Sequence, residues 1–67
     1  MTNAAKKMIL RAILSGSAEA QMIGVDMLAA HYREKMGTSE AYRCATAVSE
    51  KLRAMRDAGE DVTTARF

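Results

Sequence analysis

The side chains best suited to metal binding or nucleophilic chemistry in this chain are His31 and Cys44, its only histidine and cysteine. A structural zinc site uses about four such ligands in paired spacings, which one His and one Cys cannot supply. A cysteine nucleophile needs a positioned base, and His31 falls on a flank of its predicted helix that faces away from Cys44. The sequence therefore predicts no enzyme activity, no metal and no cofactor. Cys44 is interpreted as a small buried apolar residue.

Binding is the chemistry that the remaining side chains favour. Six methionines occur in 67 residues, and the flexible thioether adapts to varied partner surfaces. Ordinary core packing is the alternative explanation for them. Tyr and Arg are enriched among residues that dominate protein interfaces, and Tyr42 stands next to Arg43. The predicted partner contacts are Met27, His31, Tyr42 and Arg43.

Two apolar stripes position these residues. Side chains that recur three and four residues apart lie on one face of a helix. The first stripe contains Met22, Val25, Ala29, Tyr32 and Met36. The second, after Gly37-Thr38, contains Ala41, Ala45, Val48, Leu52 and Met55. The stripes predict an antiparallel helical hairpin, so that Val48→Asp should unfold the protein.

The first two helices have clear start signals. Thr2 or Asn3 suits the N-cap of a helix that we expect to run to about Ser15, and Ser17 suits the N-cap of the next. The second helix is predicted to reach Met36. Gly24 is its weak point, because glycine costs about 1 kcal/mol in a helix interior.

Glycines mark the ends of the hairpin helices. Gly37 is expected to end the second helix in a left-handed conformation. The third helix should begin at Thr38 or Ser39 and run to about Ala58, where Gly59 stops it. The tail of residues 60–67 is predicted either as a short strand or as a disordered end that docks Phe67 on the core.

Size and composition predict one small domain, residues 1–67, of the all-α class. Such a chain buries a modest core, yet 49% of its residues are hydrophobic. Ile23, Met27 and Ala30 form a second apolar face on the middle helix, and Leu28 is predicted to lie nearly opposite the hairpin contact. The middle helix is therefore expected to be central, with one face on the third helix and another that meets either the first helix or a second subunit. We therefore expect a homodimer or a partner protein, and expect Leu28→Asp or Met27→Asp to disrupt that association.

Charge and hydropathy indicate which classes of partner are expected. The net charge of +2 permits nucleic-acid binding without arguing for it. No long apolar run or signal-peptide pattern is present. The expected protein is soluble, cytoplasmic and without membrane contact.

From Met8 onward the chain also resembles winged-helix or helix-turn-helix regulators of bacteria and phages. The segments that carry this resemblance are Ile9-Leu10-x-x-Ile13-Leu14, Gln21-Met22-Ile23 as a first strand, Val25 to Tyr32 as the second helix, Gly37-Thr38-Ser39 as the turn, Ser39 to Arg43 and Leu52 to Gly59 as the start and end of a recognition helix, and Glu60-Asp61-Val62 as the start of a wing.

The resemblance implies a DNA-binding surface on the third helix. Residues in the major groove would be Ser39, Glu40, Tyr42, Arg43 and Thr46. Residues near phosphates would be Lys6, Lys7 and Arg53.

Two functions therefore remain open. The preferred one is a small non-enzymatic helical regulator that binds another protein and modulates or inhibits it, since the chain resembles accessory proteins of phages and mobile elements in size and type. The alternative is a DNA-binding transcriptional regulator. A middle helix that is continuous through Gly24 favours the hairpin bundle, whereas a break there favours the helix-turn-helix.

Overall fold

The computed structural model describes all 67 residues as three α-helices followed by a 3₁₀ turn. Their bounds are Asn3–Ile13 for α1, Ala18–Tyr32 for α2, Thr38–Asp57 for α3 and Val62–Thr64 for the 3₁₀ turn. Helix α2 packs extensively on both α1 and α3, which touch each other much less. The all-α class and the central position of the middle helix are thus confirmed. The tail contains no strand.

Helix α1 starts at the predicted cap and ends two residues early. The Thr2 hydroxyl accepts a hydrogen bond from the Ala5 amide at 3.1 Å, which satisfies one of the unpaired donors of the first turn. Ile9 and Ile13, one turn apart, are buried together with Leu10. Because these side chains define a single inward face, the broadly apolar α1 leaves its other apolar residues nearer to solvent.

Helix α2 runs without a break through Gly24. Ser17 caps it by accepting from the Ala20 amide at 3.3 Å, and the helix ends at Tyr32. Residues 33–36 form a turn instead of the predicted last helical turn. Continuity through Gly24 is the feature that favours a hairpin bundle.

Helices α1 and α2 approach each other closely at Gly24. A Cβ atom added there would lie 2.7 Å from Ile13 Cγ1 and 2.9 Å from the Ile13 backbone nitrogen. The glycine therefore serves packing between helices, and its cost to α2 in helix propensity is offset by close contact.

The contact between α2 and α3 follows the predicted stripes at its centre. Val25 and Ala29 are buried against the α3 stripe members Ala41, Ala45 and Leu52. Met22 is largely exposed, so the prediction is wrong for that member of the first stripe. Val48 is half-buried and packs against the core, so a charge there is expected to cost less than one at a fully buried position.

Two buried residues depart from the predicted pattern. Leu28 is 0% exposed because α1 covers this side of α2, which was expected to meet either the first helix or a second subunit. Ser49 is also buried, and its hydroxyl accepts a hydrogen bond from the Arg53 guanidinium at 2.6 Å. Cys44 is exposed, so its prediction as a buried residue is wrong. It lies on the flank of α3, beside the contact with α2.

The helix ends use the glycines differently from each other. Gly37 is the N-cap of α3 with φ −67°, so the expected left-handed conformation is absent there. Gly59 has φ +79°. Its amide donates to the Arg56 carbonyl at 3.0 Å, and the Glu60 amide donates to the Met55 carbonyl at 2.9 Å. This pair of bonds is a Schellman motif, which confirms Gly59 as the stop signal of α3.

The C-terminal tail is tied to α1. The Lys6 ammonium donates a hydrogen bond to the Thr63 carbonyl at 2.9 Å and lies 5.5 Å from the centre of the Phe67 ring. Val62, Ala65 and Phe67 pack against the core. Docking of Phe67 agrees with the second of the two predictions for the tail.

Candidate interaction surface

A shallow apolar groove runs between α1 and α2. It consists of two adjoining concavities that share Met27. One is lined by Met8, Arg11, Ala12, Ser15, Ala20, Ile23 and Met27. The other is lined by Met1, Ala5, Ile9, Met27, Ala30, His31 and Glu34. We call this surface the α1–α2 groove.

The α1–α2 groove gathers most of the exposed apolar bulk of the molecule. Five large hydrophobic residues are exposed in the whole chain, and three of them, Met1, Met8 and Ile23, line the groove. Met8 is 61% exposed and Ile23 is 54% exposed. Clustered exposed apolar residues mark sites of binding more often than scattered ones do.

Helix geometry explains why these side chains stay outside. Gly24 and Leu28 turn the inner face of α2 towards α1. Ile23 and Met27 lie next to them around the helix, each about 100° away. They therefore border the contact with α1 without being covered by it.

Charge is placed asymmetrically along the groove. Arg11 and Glu34 are the only Lys, Arg, Asp or Glu side chains that line it, and each lies in a different concavity. One end of the groove thus carries a cation and the other an anion. The His31 ring lies beside Glu34 in the second concavity and is 5.6 Å from the Tyr32 ring, tilted by 47°.

The predicted partner contacts separate into two surfaces. Met27 and His31 line the α1–α2 groove, whereas Tyr42 and Arg43 are exposed on α3. Hydrogen bonding of the Tyr42 phenol to the Asp26 carboxylate raises the pKa of Tyr42, and the charge of Asp26 adds to the effect. The Tyr42 phenol therefore lies near Asp26, which is about 100° around α2 from Met27. We call Tyr42, Arg43 and Asp26 the Tyr42 patch.

The residues of the DNA-binding alternative are only partly available for a ligand. Ser39, Glu40, Tyr42, Arg43 and Thr46 are exposed on the first half of α3, and Lys7 is exposed on α1. Two of the three residues predicted to contact phosphates already have hydrogen-bond partners inside the molecule. Lys6 donates to the Thr63 carbonyl, and Arg53 donates to the Ser49 hydroxyl.

Two local elements of the winged-helix resemblance are absent. Residues 21–23, expected as a first strand, belong to α2. Residues 60–62, expected to start a wing, lead into the 3₁₀ turn, where Asp61 accepts from the Thr63 amide at 3.0 Å and from its hydroxyl at 2.6 Å. Capping by Asp61 favours a tight turn over an extended strand.

Arg56 has a structural role that periodicity did not indicate. Its guanidinium donates to the Leu14 carbonyl at the end of α1, at 2.9 Å, and lies 3.1 Å from the Asp57 carboxylate. A bond across 42 positions of the chain leaves no local signal.

No group of three or more His, Cys, Asp or Glu side chains is placed to hold a metal ion. No helix is long and apolar enough to cross a membrane. Comparison of the chain with models of protein families, with curated proteins and with solved structures finds no match.

Proposed function

We propose that this protein is a small helical regulator that acts by binding another protein and modulating or inhibiting it, without catalysing a reaction itself. The observation that carries the proposal is the surplus of exposed apolar surface on a chain of 67 residues, which is divided between the α1–α2 groove and Tyr42. Methionine-rich surfaces suit protein partners because the side chain repacks at low cost.

The proposal includes self-association as a homodimer. A domain this small gains little stability from its own core, and covering the groove with a second chain would add buried apolar area. A cytoplasmic location and an origin in a phage or mobile element belong to the same proposal, on the strength of size and type.

The Tyr42 patch is the second surface that supports binding. Tyr42 offers a large ring beside the Arg43 guanidinium, a combination that is frequent at the centre of interfaces. It lies apart from the α1–α2 groove, so one molecule has room for two protein contacts.

DNA binding remains the alternative function. The exposed first half of α3 supports it, since Tyr42, Arg43 and Thr46 share one side of that helix. The continuous α2 and the internal bonds of Lys6 and Arg53 make it the weaker candidate.

Affinity capture with paired variants tests the proposal. Immobilised wild-type protein, Tyr42→Ala and the α3 control Lys51→Glu are exposed to lysate of the native host, and each captured protein is purified and assayed with and without added chain. We expect a protein whose activity changes with the wild type and with Lys51→Glu, and which Tyr42→Ala binds more weakly.

Binding to random duplex DNA provides the opposite outcome. DNA affinity that falls steeply with salt, as displacement of counterions requires, and that is lost in Arg43→Ala, would contradict the proposal and favour the DNA-binding alternative.

A further inference from the structure

We infer that the occupant of the α1–α2 groove is the same groove of a second copy, packed antiparallel about a two-fold axis that passes at Met27. The inference rests on the proposed self-association and specifies its geometry.

The first argument is the arrangement of the groove about Met27. Ile23 and His31 lie four residues on either side of Met27 within α2. At 1.5 Å per residue these are equal steps of about 6 Å along the helix. Ala20 lies further towards one end of the groove, and Glu34, in the turn after α2, lies at the other end. A two-fold axis at Met27 therefore places Ile23 of one copy against the partner's His31.

The second argument is charge complementarity. A two-fold interface brings unlike ends of the same surface together, because residue i of one copy meets residue j of the other and the reverse. Arg11 lies at the Ala20 end of the groove and Glu34 lies at the other end. Antiparallel packing thus sets Arg11 against the partner's Glu34 twice in each dimer. Parallel packing would instead bring Arg11 towards the partner's Arg11 and Glu34 towards the partner's Glu34, and like charges repel each other.

The third argument is size. A standard interface buries about 800 Å² on each partner, which is roughly a sixth of the 4527 Å² accessible surface of this chain. The two concavities extend from Ser15 and Arg11 at one end to Glu34 at the other and so span the length of α2. A second copy of the same length matches this groove along its whole extent.

A charge-exchange series tests the geometry. The dissociation constant of self-association is measured by sedimentation for the wild type, Arg11→Glu, Glu34→Arg and the double variant that carries both changes. We expect each single variant to weaken self-association about tenfold, since each unfavourable contact occurs twice. The double variant should return to within about threefold of the wild type, because the exchanged charges attract again.

Matched controls separate local contacts from net charge. Lys51→Glu and Glu50→Arg make the same changes in charge on exposed positions of α3, away from the groove, and should leave self-association unchanged. A cysteine at the axis gives a second readout. Met27→Cys in a Cys44→Ser chain should form a disulfide between copies on mild oxidation, because only a residue near the axis meets itself within about 7 Å.

Each outcome has a separate meaning. A wild type that stays monomeric at all accessible concentrations overturns both this inference and the homodimer in the proposed function. Self-association that ignores the charge exchange, with no Met27→Cys disulfide, overturns the two-fold packing while the proposed function stands. A monomer that loses its regulated protein on Met27→Asp would show that this other protein occupies the groove, and would also overturn the inference.

Discussion

Gly24 shows how one residue determines the distance between α1 and α2. In an exposed helix, Gly→Ala is stabilising by about 1 kcal/mol. Here the added methyl group would lie 2.9 Å from a backbone nitrogen and 3.0 Å from the Ala12 Cβ. Backbone cannot move aside as a flexible side chain can, so the helices would have to separate.

We therefore expect Gly24→Ala to destabilise the protein by about 1–3 kcal/mol, the usual cost of overpacking a core. Urea unfolding followed by circular dichroism, at one fixed protein concentration, measures the effect. Gly16→Ala is the control, since nothing lies within 4 Å of the methyl group it would add. A stabilised Gly24→Ala would show that α1 and α2 are packed less closely than described.

Leu28 and Met27 are neighbours that differ in burial, since Met27 is half-buried at the edge of the core. Leu28 is 0% exposed, and burying an unpaired carboxylate costs several kcal/mol, which is comparable to the whole stability of a domain this size. Leu28→Asp should therefore unfold the chain, whereas the sequence predicted that it would disrupt association. Met27→Asp should stay helical and lose association, as expected from the sequence. Circular dichroism and sedimentation of both variants check this pair, and a folded Leu28→Asp would contradict the described core.

The Tyr42 phenol gives a pH-dependent signal of the α2–α3 edge. Hydrogen bonding to Asp26 raises the pKa of Tyr42 above the ordinary value of 10.0. The folded state thus favours the neutral phenol. Any stabilisation from it is present below pH 10 and is lost as the pH rises through the raised pKa.

Ultraviolet titration of phenolate absorbance should show both tyrosines ionising above the ordinary value, since burial, aided by the charge of Cys44, also raises the pKa of Tyr32. Asp26→Asn should lower the midpoint of Tyr42 and leave that of Tyr32 in place. An unchanged titration curve in Asp26→Asn would show that Asp26 does not bind the phenol.

At the scale of elements, local signals predicted the helices well. Thr2, Ser17 and Gly59 act as cap and stop residues because their interactions involve neighbours within a few positions, which the sequence displays directly. The spacing of apolar residues by three and four positions also placed Ala41 and Ala45 correctly in the α2–α3 contact.

Contacts between distant residues were not predictable in this way. Burial of Leu28 depends on where α1 crosses α2, and the role of Gly24 depends on the same crossing. Periodicity along one helix identifies its apolar face but does not show which other helix packs against that face. The partner-contact set failed as a single site for that reason, since Met27 lines the α1–α2 groove and Tyr42 is exposed on α3.

The C-terminal tail is attached by apolar packing of Val62, Ala65 and Phe67 and by one polar side chain, Lys6. Lys6 binds both Thr63 and the Phe67 ring, and the adjacent Lys7 is exposed. Lys6→Ala should release residues 62–67 with a loss of about 1 kcal/mol or less, as for other exposed polar contacts. Amide hydrogen exchange should speed up in that segment alone. Equal exchange in Lys6→Ala and the control Lys7→Ala would contradict this attachment.

At the scale of the whole molecule, the surplus of apolar surface is the property that the sequence and the structure share. The hydrophobic fraction of 49% indicated more apolar side chains than one small core can bury. The structure places much of that excess in one groove, with Arg11 and Glu34 at its two ends. This groove is the protein-binding surface that we propose a second copy fills.

The six methionines allow that claim to be measured directly. Three line the α1–α2 groove, namely Met1, Met8 and Met27, and three lie elsewhere, namely Met22, Met36 and Met55. Methyl resonances of ¹³C-labelled methionine are recorded by NMR over a dilution series. If a second copy fills the groove, we expect the resonances of the groove methionines to shift with concentration while the other three stay constant. Constant groove resonances, or shifts confined to Met22, Met36 and Met55, would contradict it.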